Sequence, residues 1–476
     1  MFGLRIPTSG RVIKRTRSRC PACLAEIPAA VIERDGAIVM EKQCPEHGDF
    51  TVRLQSDPRW YFESHGDPAN AGACCCGPEG CCTPAAAGAE GATPPPSTDP
   101  FERLSTCIAL VEIVDSCNLT CPTCYAESPY GVGEKVDCTP FAQVRERIDG
   151  VIARKGFIDI LQLSGGEPTI HPEFEAILRW ACSHPKIGYT LVNTNAVRVA
   201  GDERFRAMLA EIRRERPKFE LYVQFDGVQA QGQAELRGAD LRGVRERAID
   251  AAGALGVPST LAMVVDERTI GGVGETLRWA VARPHVRGIS FQPVFTSGRI
   301  ATIESRTLPV LPGGGGPVPT MDVAAVIHAA TTQAPELLSA ADFTPLPCGD
   351  PNCHTIAYVL RTPQGPVGLS RLIDVPKYAG FLQNRVNYSL EDLARCGCET
   401  EPLGELLRAL ELRPEHPFRI FIKPFMDAWT FDQDRIDRCC THVVREDGTL
   451  DSFCRYYLLG GKAGARARAQ AHATTP

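Results

Sequence analysis

Three cysteines lie within a span of eight residues and follow directly on a run of strand-forming residues. They are Cys117, Cys121 and Cys124 in a CxxxCxxC loop, and residues 107–114 before them are rich in Ile, Leu and Val, which predicts a strand. Iron–sulfur clusters are held by cysteine thiolates, and a 4Fe–4S cluster normally takes four. Three thiolates from one loop therefore predict a cluster with one iron open to a non-protein ligand, as in catalytic metal sites. For the loop alone, a zinc site is the alternative.

From residue 105 to about residue 300, short β-rich runs alternate with helical stretches, a pattern typical of an α/β fold with a parallel sheet. Strands are predicted over residues 107–114, 157–164, 189–192, 219–225, 259–265 and 288–294, with helices over residues 141–155 and 203–214. In parallel α/β folds, ligands lie at the carboxyl ends of the strands. The motif Gly165-Gly166-Glu167-Pro168, Asn195 and Asp226 all follow such strand ends.

The CxxxCxxC loop after the first strand, followed by the Gly-Gly-Glu-Pro turn after the second, resembles the radical S-adenosylmethionine (SAM) superfamily. The resemblance implies a partial (β/α)6 TIM-like barrel, in which the amino and carboxylate groups of SAM chelate the open iron. An electron then cleaves SAM to methionine and a 5′-deoxyadenosyl radical. By the same resemblance, Gly165, Gly166 and Glu167 meet the methionine amino group, and Asn195 and Asp226 are candidates for the SAM ribose or the substrate.

The amino-terminal module, residues 1–65, carries a second set of metal ligands. Cys20 and Cys23 form one short loop, and Cys44 and His47 form another, a pairing typical of zinc ribbons and rubredoxins. Two such loops supply four ligands in tetrahedral reach of one ion. The expectation is a zinc or iron site of this kind, with a further cysteine in place of His47 as the alternative.

Clustered cysteines elsewhere predict one or more auxiliary 4Fe–4S clusters. Residues 66–104 combine five cysteines between Cys74 and Cys82 with a Pro/Ala-rich linker, for which a flexible segment with adventitious thiols is the alternative. Residues 301–345 are predicted as a linker with a helix from Asp322, and residues 461–476 as a disordered tail. The carboxy-terminal region, residues 346–460, supplies the candidate ligands Cys348, Cys353, Cys439, Cys440 and Cys454.

The length, the cysteine count and the net charge argue against several classes of protein. The 476 residues include 21 cysteines, an odd number that together with the length argues against a secreted disulfide framework. No secretory signal or run of 18 apolar residues is present, so a cytoplasmic protein is expected. The net charge of −6 gives no argument for nucleic acid. The basic stretch from Arg11 to Arg19 is either a solvated segment or a point of peripheral membrane contact.

Six segments together narrow the resemblance. Residues 18–23, 42–48, 106–112, 425–427, 438–442 and 452–454 resemble the archaeal tetraether lipid synthases and their bacterial relatives, some members of which are described as class D radical SAM methylases. The resemblance implies C–C bond formation between lipid chains, with methylation of a small molecule as the alternative and a non-catalytic scaffold as the third possibility. It implies a small-molecule or lipid substrate and an electron donor such as ferredoxin or flavodoxin.

Overall fold

The structure is a computed structural model that describes residues 10–63, 106–300, 321–345, 350–373, 416–462 and 464. The cysteine-rich segment and linker at 66–104, the first part of the 301–345 segment, Cys348 and most of the 461–476 tail lie outside these residues.

The amino-terminal module is a small antiparallel sheet. Strands β1 (Arg11–Arg19), β2 (Glu26–Arg34), β3 (Ala37–Cys44) and β4 (Gly48–Gln55) pair in sequence order, followed by helix α1 (Pro58–Glu63). The tight turn between β2 and β3 places Asp35 and Gly36 at positive φ, 51° and 72°, as a two-residue hairpin requires. One face buries Val31, Ile38 and Met40 against Tyr61 of α1, so that this small domain has a core of its own.

All six strands predicted between residues 107 and 294 are confirmed. They are β5 (Ile108–Val114), β6 (Ile158–Gly165), β7 (Ile187–Thr194), β8 (Phe219–Gln224), β9 (Ser259–Val265) and β10 (Val286–Pro293). Each pairs with the next in parallel, in sequence order. Every strand therefore ends at the same edge of the sheet, and the polar motifs that follow the strands converge there.

The carboxy-terminal region extends this sheet at both ends. Strand β14 (Pro417–Ile422) pairs in parallel with β10, and β15 (Thr441–Val444) pairs in parallel with β5. Antiparallel strands then cover both additions: β12 (Thr355–Thr362) lies on β14, and β16 (Leu450–Ser452) lies on β15. The short strands β11 (Thr344–Pro345) and β13 (Gly365–Gly368) pair with β12. The predicted auxiliary region is thus part of the barrel sheet itself.

Amphipathic helices pack against the sheet. They are α2 (Phe141–Lys155), α3 (Phe174–Ser183), α4 (Val197–Gly201), α5 (Glu203–Glu215), α6 (Gln233–Arg237), α7 (Arg242–Ala254), α8 (Val273–Val281), α9 (Val323–Gln333), α10 (Gln433–Asp437) and α11 (Phe453–Leu458). Helix α2, for example, buries Val144, Ile148 and Val151, which recur at helical spacing on one face. Helix α9 begins where predicted, because the side chain of Asp322 caps it by accepting a hydrogen bond from the Ala325 amide, 2.9 Å away.

A buried lysine, Lys42, donates hydrogen bonds that link the amino-terminal sheet to the carboxy-terminal region. Lys42 is 1% exposed, and its Nζ donates to the carbonyl oxygens of Ala428 at 2.6 Å and Trp429 at 2.7 Å. The same Nζ donates to Ser18 Oγ at 3.2 Å and Arg19 O at 3.0 Å within the sheet. A buried charge is tolerated only where hydrogen bonds replace its hydration, so these contacts fix how the two parts dock.

Candidate active site and metal centres

A cavity of about 180 Å³ opens at the carboxyl ends of the parallel strands. Its wall contains all three cysteines of the loop, together with Gly165, Gly166, Glu167 and Asn195. Residues predicted from separate parts of the sequence therefore share one enclosure. Arg237, His354 and Lys423, which the sequence patterns did not single out, also line it.

The cysteine loop is held by backbone contacts and by one arginine. Cys117 N donates to Pro129 O at 2.8 Å, and Gly131 N donates back to Cys117 O at 3.0 Å. Arg299 lies across the other end, where its guanidinium donates to Cys121 O at 2.8 Å and its amide to Cys124 O at 3.0 Å. The loop is thus fixed at both ends, with its thiols on the cavity wall.

The three thiols suit an iron–sulfur cluster. Burial raises the pKa of Cys117 to about 12, which marks a desolvated position where a metal is needed to hold the thiolate. The Leu119 amide lies 3.4 Å from Cys117 Sγ and the Asn195 side-chain amide 3.9 Å from it. Hydrogen-bond donors next to the sulfurs of an iron–sulfur cluster help to set its reduction potential. Cys117, Cys121 and Cys124 would hold the cluster, which when bound supplies the electron that cleaves SAM.

The two glycines of the Gly-Gly-Glu turn serve packing between strand ends. Gly165 has φ +124°, and a Cβ there would lie 2.0 Å from Val114 O. A Cβ on Gly166 would lie 2.1 Å from Ser116 O. The Gly166 amide donates to Val114 O at 2.8 Å, which closes the turn onto the residues that lead into Cys117. The turn and the cysteine loop are therefore built as one unit, which only glycine permits.

The carboxylate of Glu167 ties neighbouring strand ends together. One oxygen accepts from Thr169 Oγ1 at 2.6 Å and Thr194 Oγ1 at 2.8 Å, and the other accepts from the Asn195 amide at 2.7 Å. Burial nevertheless raises its pKa above the ordinary value. The side chain thereby places Asn195 beside Cys117. That Gly165, Gly166, Glu167 and Asn195 contact SAM stays a prediction.

Asp226 is fully buried and bound by two arginines. Its carboxylate accepts from Arg237 at 2.6 Å and 2.9 Å and from Arg245 at 3.3 Å. Burial would raise the pKa of Asp226, but these arginines hold it below its ordinary value. In turn, burial would lower the pKa of Arg237, whereas Asp226 and the Cys121 thiol raise it. Asp226 therefore orients a cation toward a predicted cluster ligand. No local sequence pattern distinguishes Arg237 from the other arginines.

Amide and hydroxyl side chains form a polar layer on the cavity wall. Gln162 Nε2 donates to Asn193 Oδ1 at 2.6 Å, and Asn193 Nδ2 donates to Ser164 Oγ at 3.0 Å. Further along the sheet, Gln292 Nε2 of β10 donates to Tyr222 OH of β8 at 3.1 Å. All five side chains line the cavity. Paired donors and acceptors of this kind suit a heterocycle that carries amide-like edges.

An aromatic wall adjoins the cysteine loop on another side. Tyr125 lies 4.7 Å from the ring of Tyr457 and 5.5 Å from that of Phe453. Phe425 lies 4.4 Å from Phe453 and 5.4 Å from Phe295. Tyr125, Phe295, Phe425 and Phe453 line the cavity. This side of the cavity can bury an apolar group.

A buried carboxylate supports the aromatic wall from behind. Both Tyr456 OH and Tyr457 OH donate to Glu112, each at 2.8 Å. Burial raises the pKa of Glu112 in spite of these donors. Glu112 belongs to β5, so it links the strand that leads into the cysteine loop to helix α11.

Three of the five carboxy-terminal candidate ligands come together. Burial is the main cause that raises the pKa of Cys439, and the nearby charges of Cys353 and Cys454 raise it further. The three thiols therefore lie close enough to interact electrostatically. Arg435 lies beside them, with its guanidinium 3.6 Å from Cys353 Sγ. In this structure the Cys440 sulfur is in a disulfide, and Cys348 lies outside the described residues. An auxiliary 4Fe–4S cluster on Cys353, Cys439 and Cys454 stays a prediction.

The amino-terminal cysteines and histidine form a compact tetrad. Cys20, Cys23, Cys44 and His47 place their ligand atoms within 4.8 Å of one another. Burial would raise the pKa of Cys44, but hydrogen bonds from the His47 side chain and from the Glu46 and His47 backbone bring it to about 7. Three thiols and one imidazole at this separation form a tetrahedral set suited to one zinc ion.

The fold and these sites define a radical SAM enzyme with an amino-terminal zinc ribbon. A model of the radical SAM superfamily matches residues 111–280, and a model of the HMPTM N-terminal zinc ribbon domain matches residues 12–56. A curated relative is the 7,8-dihydro-6-hydroxymethylpterin dimethyltransferase of Methanocaldococcus jannaschii. It is 25% identical over 524 aligned positions, which cover 94% of each chain.

Solved structures match over shorter stretches. SuiB of Streptococcus suis, bound to its precursor peptide SuiA, is 16% identical with a TM-score of 0.33 over 40% of each chain. HydG, a maturase of the [FeFe]-hydrogenase, is 12% identical with a TM-score of 0.35 over 49% of this chain and 51% of its own. The chain thus spans about half or less of the solved structures that it matches. Among the helices that the structure describes, none has the length and apolarity needed to span a bilayer.

Proposed function

We propose that this radical SAM enzyme methylates a pterin-like heterocycle. The observation that carries the proposal is the match along 94% of both chains to a protein named as a pterin dimethyltransferase. That match includes the amino-terminal and carboxy-terminal parts as well as the barrel. Methylation was the alternative expected from the sequence, after lipid coupling.

The polar layer in the cavity supports this substrate class. A pterin ring presents ring nitrogens, an amino group and a carbonyl along its edges, and each needs a hydrogen-bond partner when buried. Gln162, Asn193 and Gln292 offer amide donors and acceptors in the same cavity as the three cysteines. These amides already bond to one another or to neighbouring hydroxyls, but each keeps further donor or acceptor positions. Burying two alkyl chains there would leave those further positions without partners, at a cost of about 1–3 kcal/mol for each position.

Lipid coupling is the second candidate, and the aromatic wall favours it. Phe295, Phe425 and Phe453 form an apolar surface in the same cavity as the cysteine loop. An alkyl chain end held on this surface would lie in the enclosure where SAM is cleaved. The wall also suits stacking of a flat ring, so it does not decide between the candidates alone.

Expression in a host supplied with 7,8-dihydro-6-hydroxymethylpterin tests the proposal, because the cell provides the methyl source and reductant. Pterins and lipids are extracted from cells that express the wild-type chain or the Cys117→Ala variant and compared by mass spectrometry. The expected result is methylated pterin only with the wild-type chain. Coupled lipid chains with unchanged pterins would favour the second candidate, and no change in either pool would contradict both.

Variants of the polar layer test the cavity's part in this activity. Gln162→Leu and Asn193→Leu remove hydrogen-bonding groups from the cavity, whereas Gln364→Leu makes the same change at an exposed turn. We expect the first two to reduce the yield of methylated pterin by at least about tenfold, as the loss of a buried hydrogen bond implies. Gln364→Leu should match the wild type.

A further inference from the structure

Lys423 lies at the carboxyl end of β14, the parallel strand that the carboxy-terminal region adds to the barrel. Its amide continues the ladder by donating to Phe291 O of β10 at 2.9 Å. Its side chain lines the same cavity as the cysteine loop and the polar layer. Lys423 therefore occupies the position, just after a parallel strand, where barrels of this kind place ligand-binding groups.

The ammonium of Lys423 has no anionic partner among the described residues. No carboxylate lies within salt-bridge distance, and no hydrogen-bond acceptor contacts Nζ in that part of the chain. The centre of the Phe421 ring lies 5.5 Å from Nζ. Burial alone lowers its pKa, to about 8, so the group is charged in most molecules at neutral pH. Holding an unpaired charge in such a place is costly unless a ligand supplies the counter-charge.

The other charged groups of the cavity already have partners. Arg237 and Arg245 are bound to Asp226, and the carboxylate of Glu167 receives protein hydrogen bonds. Arg435 is the cation beside the carboxy-terminal thiols, and its guanidinium contacts Cys353 Sγ. A negative cluster on those cysteines would therefore be balanced by Arg435, and Lys423 faces the cavity.

His354 provides a second polar group beside Lys423. Thr355 of β12 pairs with Ile422 of β14, so His354 and Lys423 follow at the next opposed position of this antiparallel pair. His354 is 8% exposed and lines the cavity, and its Nδ1 has no hydrogen-bond partner within the described residues. With its proton on Nδ1, the ring donates into the same space as the ammonium.

We propose that Lys423 and His354 form a subsite for one anionic group, a phosphate or a carboxylate, of the molecule that this enzyme modifies. The subsite deepens the proposed function, on which it rests for the identity of the reaction, by assigning the substrate an anionic substituent. The carboxylate of SAM is an unsuitable occupant, since radical SAM chemistry places it on the open iron. An ammonium and an imidazole N–H together suit an anion better than any neutral group.

Binding of simple anions to the reconstituted holoenzyme tests this subsite. Radiolabelled orthophosphate and, separately, acetate are measured by equilibrium dialysis with saturating SAM present. The proteins compared are the wild type, Lys423→Met, Lys423→Arg and the exposed-site control Lys186→Met. Iron content and thermal midpoint check that each variant is folded. Removing an unpaired, partly buried charge while keeping the side-chain length should not lower the midpoint.

We expect one anion site per chain that persists with SAM bound. Lys423→Met should weaken it by at least about tenfold, the loss expected for a charge-assisted hydrogen bond, whereas Lys423→Arg and Lys186→Met should largely retain it. Preference for orthophosphate or for acetate identifies the anionic group as phosphate or carboxylate.

Three results would overturn the subsite: no binding of either anion, binding that Lys423→Met leaves unchanged, or displacement of the anion by SAM together with a loss of SAM affinity in Lys423→Met. Anion binding does not depend on methyl transfer. Methylated pterin without an anion site would overturn the subsite alone, and an anion site without methylated pterin would overturn the proposed reaction alone.

Discussion

The carboxylate of Asp226 binds the guanidinium of Arg237 through two hydrogen bonds, 2.6 Å and 2.9 Å long, and the Cys121 thiol lies close enough to raise the pKa of the same guanidinium. The buried ion pair between Asp226 and Arg237 thereby links the carboxyl end of β8 to Cys121, a predicted cluster ligand. Asp226 is a positioning residue in this arrangement, because its oxygens are used by protein donors.

Arg237→Gln should make the cluster on Cys117, Cys121 and Cys124 harder to reduce. Loss of a nearby cation destabilises the reduced, more negative state by about 1–2 kcal/mol, which corresponds to a fall of roughly 40–90 mV in the midpoint potential of a one-electron couple. Redox titration monitored by electron paramagnetic resonance measures the shift. Arg237→Lys should give a smaller shift and the exposed Arg204→Gln none. An unchanged potential in Arg237→Gln would contradict this role.

Gly166→Ala should prevent assembly of the cluster. The added Cβ would lie 2.1 Å from Ser116 O, and backbone on both sides leaves no flexible atom to move, so a cost of about 3 kcal/mol or more is expected at the start of the cysteine loop. Gly243→Ala is the matched control, since its Cβ would lie 3.5 Å from the flexible end of Arg247. Iron and sulfide per chain are measured after reconstitution. Full loading of Gly166→Ala would refute the packing argument.

The core of the fold follows from the sequence, whereas its edges do not. The six strands beginning at β5 are apolar runs that end in recognisable motifs, and helix α2 has the predicted bounds. Strands β14 and β15 are short, and their place beside β10 and β5 depends on contacts between distant segments. Parallel pairing over such separations leaves no local pattern. The predicted core of six strands is therefore correct, but the carboxy-terminal extensions were missed.

The site shows the same division. Ligand spacing predicted the tetrad of Cys20, Cys23, Cys44 and His47, because that signal is local. The roles of Arg237 and Lys423 depend on which charges the fold leaves paired or unpaired, and single arginines and lysines have no distinctive pattern. Likewise, contact of the Gly-Gly-Glu turn with SAM stays a prediction from the resemblance, whereas the close approach of its glycines to the neighbouring backbone depends on the fold and has no local pattern.

Lys42→Met should weaken docking of the zinc ribbon on the barrel. The change leaves the carbonyl oxygens of Ala428 and Trp429 without their donor, at a cost of about 2–3 kcal/mol. The rate of limited proteolysis in the ribbon should rise accordingly. Arg17→Met, which removes an exposed ion pair with Glu26 inside the ribbon, should cost at most about 1 kcal/mol. Equal rates for the two variants would contradict a docking role for Lys42.

Glu112→Gln should stabilise the protein more at high pH than at low pH. Burial raises the pKa of Glu112 in the folded state above 4.5, so the folded protein retains a proton that the unfolded chain releases. The free energy of unfolding of the wild type therefore falls as the pH rises from the unfolded-state pKa of Glu112 to its higher folded-state pKa. The amide of the Glu112→Gln variant does not titrate, so the variant does not lose this stability. The difference in thermal midpoint between variant and wild type should grow from pH 5 to pH 8. Glu203→Gln, at a side chain 92% exposed, should show no such trend.

The most direct test of the central claim is formation of 5′-deoxyadenosine by the reconstituted protein supplied with SAM and a reductant. The wild type should form it, and replacement of Cys117, Cys121 and Cys124 by alanine should abolish it. Cys138→Ala, a change at a cysteine that pairs with Val114 near the same loop, should retain it. Formation of 5′-deoxyadenosine by the triple variant at the wild-type rate would contradict the assignment of SAM cleavage to these three cysteines.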